Sequence, residues 1–230
     1  VGSEMCIRDS DDLLSGKEME KVVERNPVIE KKSVNNIMTA LYAFVVISFF
    51  ITIVDIIIRF PLQSEMIDYN DIQAIVINVL ALLIQIVSFA YGFVNAIRGM
   101  LSPKRMGAVI TAFFAATCIT GTGNMVIYSN VQIVLWWIVL IIPNIVGAVA
   151  TFAYFVLGKK SKIYSIIIYL AAIWGIFRII YSNYNLIVHA NQYLSMNSTV
   201  RLVLGIAIHC LVIYQTYVLW IKRQNATDIS

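Results

Sequence analysis

IMTALYAFVVISFFITIVDIII, residues 37–58, is an apolar run of 22 residues broken by one formal charge, Asp55. As an α-helix rising ~1.5 Å per residue, it is long enough to cross a hydrocarbon core of about 30 Å. It does not alternate polar and apolar residues as an outer-membrane strand would. A lipid-crossing segment must satisfy its own backbone groups, and a helix does so within the segment. Five more runs of this kind follow, at about 72–97, 107–128, 132–157, 163–182 and 200–221. The reading is all-α: a polytopic six-helix transmembrane bundle.

Composition agrees. Of 230 residues, 60% are hydrophobic and 13% charged, whereas soluble domains average about 45–50% and 25%. The mean hydropathy is +0.80. A soluble fold of this size leaves over half its accessible surface apolar already and cannot hide more. The Gly, Pro and Cys contents exclude a collagen, a disordered chain and a disulfide scaffold.

Loop charges orient the bundle. Lys17, Lys21, Arg25, Lys31 and Lys32 precede the first run; Arg98, Lys104 and Arg105 follow the second. Lys159, Lys160 and Lys162 follow the fourth, and Lys222 and Arg223 the sixth. Alternating spans put all of these on one side and only Arg59 and Arg201 on the other. The positive-inside rule makes the first side, with both termini, cytoplasmic. Tyr128, Trp136, Trp137, Tyr181 and Tyr184 are expected in an outer aromatic belt, and Tyr154, Phe155 and Trp220 in an inner one. Frequent Ile, Asn, Tyr and Lys point to an AT-rich genome and a bacterial inner membrane.

The ends read differently. Val1 to Ser10, VGSEMCIRDS, resembles the in-frame translation of a transposase-type sequencing adapter across the whole segment. It is expected to be a metagenomic artefact outside the fold, with native sequence missing upstream. Residues 11–36 form a polar cytoplasmic segment. Its Ser15 and Glu18 have capping-box spacing, and Asn26-Pro27 ends the short helix they start. The membrane domain spans 37–221, and 222–230 is a cytoplasmic tail.

No enzymatic signature is present. HExxH, GxSxG and Walker A motifs are missing from the sequence, and Asp55 is the only acid inside the apolar runs. Cys118 and Cys210 lie inside apolar runs without metal-ligand spacing and read as packing residues. No catalytic residue, metal or cofactor is assigned, and nothing points to nucleic acid. The partners expected are the bilayer, other membrane proteins or a second copy of the chain.

Six polar residues inside the runs are the candidates for a ligand or ion pathway. Asp55 and Arg178 lie at similar depth in the outer thirds of the first and fifth runs. Intramembrane charges are costly, so they are expected to pair inside the bundle. Gln85, Thr117, Asn144 and His209 fall near the centres of four runs. Polar groups facing lipid go unsatisfied, so these four are expected to converge. Asn78 and Gln85 are seven residues apart and share a helical face, while Pro143 frees a carbonyl beside Asn144.

Two function classes stay open. One is a non-enzymatic structural, stress or regulatory membrane protein that works by packing with partners. The other is a small permease or the substrate-binding membrane subunit of a transporter. A dry interior favours the first, and a polar-lined cavity of a few hundred Å3 favours the second. For the topology, a reporter active only outside the cytoplasm and fused after residue 223 is expected to be silent. Strong activity would reverse the orientation.

Overall fold

Each of the six apolar runs corresponds to one helical rod. The computed structural model describes residues 32–63, 69–124, 134–135, 137–184, 188 and 196–227. The adapter-like segment, the capping-box helix and the last three residues lie outside them. The rods are α1 (Lys32–Gln63), α2 (Tyr69–Ile97), α3 (Pro103–Asn124), a composite fourth rod, α5 (Lys162–Ser182) and α6 (Met196–Thr227). The fourth rod has a π-helical turn Trp137–Ile141, then α4 (Ile142–Thr151), then a second π-helical turn Phe152–Val156.

The rods form a closed ring. Each packs on its sequence neighbours, and α6 returns to pack on α1. Neighbours run antiparallel. On α1 and α2, Tyr42 covers Gly92 while Phe49 meets Phe89 at a ring separation of 5.7 Å. On α3 and the fourth rod, Gly107 meets Phe155 and Phe114 meets Gly147. On α5 and α6, Gly175 meets His209 and Ile179 meets Gly205. Small residues let helix axes approach closely where lipid supplies no hydrophobic drive to associate.

Two tight turns hold one end of the ring. Gly99 and Gly158 both take positive φ, 64° and 68°, a conformation only glycine adopts freely. After α2, Gly99 N–H donates to Ala96 O and Met100 N–H to Asn95 O, the Schellman pattern. After the fourth rod, Lys159 N–H reaches back to Ala153 O, one residue further, because the preceding turn is π-helical.

The molecule is apolar on its outside. On α5 the exposed side chains include Ile163, Ile166, Leu170, Ile173 and Phe177, while Ser165, Ile168, Ala172 and Gly175 face the bundle. Among the described residues, stretches of α1, α2, the fourth rod, α5 and α6 are each long and apolar enough to cross a membrane. Among residues 103–120 only Lys104, Ala108 and Ala115 are exposed. α3 is wedged between α2 and the fourth rod and carries Gly107, Thr111, Thr117 and Thr120.

Two expectations about the basic end change. Tyr154 and Phe155 are core residues, 2% and 0% exposed, so they form no inner belt. Arg223 is buried as well. Its guanidinium lies 4.5 Å from the centre of the Tyr154 ring and donates to Tyr154 O at 3.0 Å. That carbonyl belongs to the last turn of its rod, where carbonyls lack helical donors.

Pro143 shows how the fourth rod stays satisfied. In α-helical register its missing N–H would be the donor for the carbonyl four residues earlier, Val139 O. Trp174 of α5 fills the gap, its Nε1 donating to Val139 O at 2.8 Å. Trp174→Phe is expected to lower stability by about 1–3 kcal/mol, the cost of leaving that carbonyl without a donor. In a Pro143→Ala background, where the backbone N–H is restored, the same change is expected to cost markedly less. Equal costs in the two backgrounds, measured by thermal melting, would show that the indole does not serve the proline gap.

Candidate functional site

The ring is not filled along its whole length. At the end where α1, α3 and α5 finish and α2 and α6 begin, it holds an open-mouthed cavity of about 480 Å3. This is the end opposite the Gly99 and Gly158 turns and their lysines. Five rods line it: Phe49 and Thr52 from α1; Asn78, Leu82 and Gln85 from α2; Phe113, Thr117 and Thr120 from α3. α5 adds Arg178 and Ile179, and α6 adds Leu204, Gly205, Ile208 and His209.

An aromatic layer floors the cavity. Phe89 sits between Phe49 and Phe113 at ring separations of 5.7 and 6.1 Å. Phe113 then meets the His209 ring edge-on at 5.3 Å and 84°. One turn below lie Tyr42 and Gln215, both buried, with the Gln215 amide donating to Tyr42 Oη at 2.7 Å. Past this level the interior is packed, with Met38, Leu101, Met106 and Leu219 fully buried.

The polar lining has a definite hydrogen-bonding character. Thr52, Thr117 and Thr120 donate their hydroxyl hydrogens to carbonyls of their own helices, Ser48 O, Phe113 O and Ala116 O, at 2.9, 2.9 and 3.2 Å. Their oxygens are left with lone pairs only. Asn78 Oδ1 is buried without a partner. His209 is 4% exposed, and its Nδ1 lies 2.7 Å from Gly205 O. A carbonyl can only accept, so Nδ1 carries the proton, while Nε2 rests against Gly175. Arg178 brings the one cation of this lining, and no acidic side chain is among the described ones.

Four of the six sequence candidates therefore meet: Gln85, Thr117, Arg178 and His209. Asn144 does not join them. It is buried within the fourth rod, and its Nδ2 donates to Leu140 O at 2.6 Å. The carbonyl freed by Pro143 is likewise taken, by Trp174. Asp55 lies on α1, three residues beyond Thr52, but its side chain is outside the described residues, and so is its expected pairing with Arg178. The lining residues Thr52 and Thr120 were not among the candidates. The signal was present: Thr117 and Thr120 are three apart on α3, and Thr52 and Asp55 are three apart on α1, the spacing of one helical face.

A second hollow of about 480 Å3 lies between α1 and α6, lined by Phe44, Ile47, Ser48, Ile51, Thr199, Val200 and Val203. Ser48 already donates to Phe44 O, and the rest of the lining apart from Thr199 is aliphatic or aromatic. It offers little to orient a solute.

Fold and surface define an all-helical protein whose long apolar helices suit a multi-pass membrane protein. No family model, curated protein or solved structure matches the chain.

The cavity wall depends on a close fit between α5 and α6. A Cβ at Gly175 would collide with the imidazole of His209, and one at Gly205 would stand 2.8 Å from Ile179 Cδ1. Gly175→Ala is expected to destabilise by about 1–3 kcal/mol through overpacking. The added change His209→Ser is expected to recover much of that loss. A Gly175→Ala protein that melts like the wild type would refute the contact.

Proposed function

We propose that the chain is a small solute permease, or the substrate-binding membrane subunit of a transporter, in a bacterial inner membrane. The reading takes all six rods as spans and both termini as cytoplasmic. α3 then crosses the membrane inside the bundle, shielded by its neighbours. The observation that carries the proposal is a cavity of about 480 Å3, within the size range of ligand sites, whose largely apolar wall carries Thr52, Gln85, Thr117, Thr120, Arg178 and His209. In the proposed topology it faces outward and stops at the aromatic floor. An outward vestibule ending on a packed layer is one state of an alternating-access cycle.

The second reading is a structural, stress or regulatory protein that acts by packing with membrane partners. The densely packed half around Tyr42, Phe89 and Gln215 favours it, because that half offers a solute no room. The two readings part over whether water reaches the cavity.

Single cysteines test this in a protein freed of its native ones. Cysteine at Thr120 is expected to react with a membrane-impermeant methanethiosulfonate added outside. Cysteine at Val212, 1% exposed in the packed half, is expected to stay unlabelled. Absence of labelling at Thr120 from the outside would remove the vestibule and leave the packing role.

A further inference from the structure

The geometry points to a ligand class for this cavity: a small zwitterion of the α-amino acid type with an apolar side chain. The inference rests on the solute-binding reading above. Its basis is the uneven distribution of donors and acceptors around the wall. On α1 and α3, Thr52, Thr117 and Thr120 present oxygen acceptors whose hydrogens are already spent, and beside them on α2 Asn78 Oδ1 is buried without a partner. On α5, Arg178 presents a guanidinium, which donates only.

Each simpler ligand leaves one wall unmatched. A plain cation fits the acceptors but faces Arg178. A plain carboxylate suits Arg178 by charge-assisted, bidentate bonding, yet leaves the acceptors without donors. A neutral polyol leaves the guanidinium removed from water with no counter-charge. A molecule with a carboxylate and an ammonium a few ångströms apart answers both walls at once. The rest of the lining, with Phe49, Leu82, Phe113 and Leu204, suits an aliphatic or aromatic side chain.

The test uses the purified full chain in detergent and three probes: leucine, 4-methylpentanoate, which lacks the ammonium, and 3-methylbutylamine, which lacks the carboxylate. Leucine is expected to raise the melting temperature, and each analogue to bind at least about tenfold more weakly, the loss of one charged hydrogen-bonding group. Arg178→Gln is expected to abolish the difference between leucine and the amine. Thr117→Val, which keeps shape and removes an acceptor, is expected to weaken leucine and spare 4-methylpentanoate. Gel-filtration profile and ligand-free melting check that variants fold. Should Arg178→Gln fail to fold, Arg178→Lys and the wild-type analogue comparison decide.

The inference is overturned if the amine binds as well as leucine, or if Arg178→Gln leaves leucine binding unchanged. The latter is the outcome if Asp55 is the counter-charge of Arg178. Stabilisation by a neutral polyol such as myo-inositol, with no response to leucine, overturns the zwitterion and keeps the solute site. Failure of every probe, together with an unlabelled cysteine at Thr120, overturns both.

Discussion

The hydrogen bond from Gln215 to Tyr42 joins the last helix to the first across 173 residues of chain. In lipid, helices gain little from hiding apolar surface, since the tails outside are as apolar as the core. Association relies on close packing and on polar groups that find each other. The Tyr42 ring also covers Gly92, so one buried side chain ties α1, α2 and α6 together. Without that junction the α1–α6 seam would be left mainly to apolar contact, and an open row of helices would have no enclosed interior. The cavity exists because the row closes.

Along the rods, polar side chains divide into two kinds. Ser88, Asn95, Asn144 and Thr216 donate to the carbonyl one turn back in their own helix and ask nothing of a neighbour. Such back-bonding explains how a helix carries polar residues through an apolar layer. The threonines around the cavity do the same with their hydrogens, but their oxygens open onto free volume. Arg178 and Gln85 add polar groups on the same volume. The polar end of the ring is thus a consequence of which residues face inward where the aromatic layer stops.

Much of the architecture was readable from the chain. The length of each apolar run set the rods to within a few residues, and the lysine clusters identified the end with the tight turns. The cavity was half readable. Gln85, Thr117 and His209 announced themselves as polar residues at mid-run, and Arg178 as an intramembrane charge. Asn144 misled because depth alone carries no direction: a residue on a rod can satisfy itself along its own axis, and Pro143 drew Trp174 from outside the layer. Arg223 read as a flanking charge, yet the π-helical ending of the fourth rod aims Tyr154 O at it. Such endings leave no clear mark in composition. Nor did hydropathy reveal that α3 exposes only three of its side chains between 103 and 120.

Ring closure is best tested by a double-mutant cycle at its seam. Tyr42→Phe strands the Gln215 amide, and Gln215→Leu strands the Tyr42 hydroxyl, whereas the double variant leaves neither group unpaired. With the ring closed as described, Tyr42→Phe alone is expected to cost more stability than the double variant, with a coupling of about 0.5–3 kcal/mol between the sites. Strictly additive costs would mean that α1 and α6 do not meet there, and the cavity within the ring would go with them.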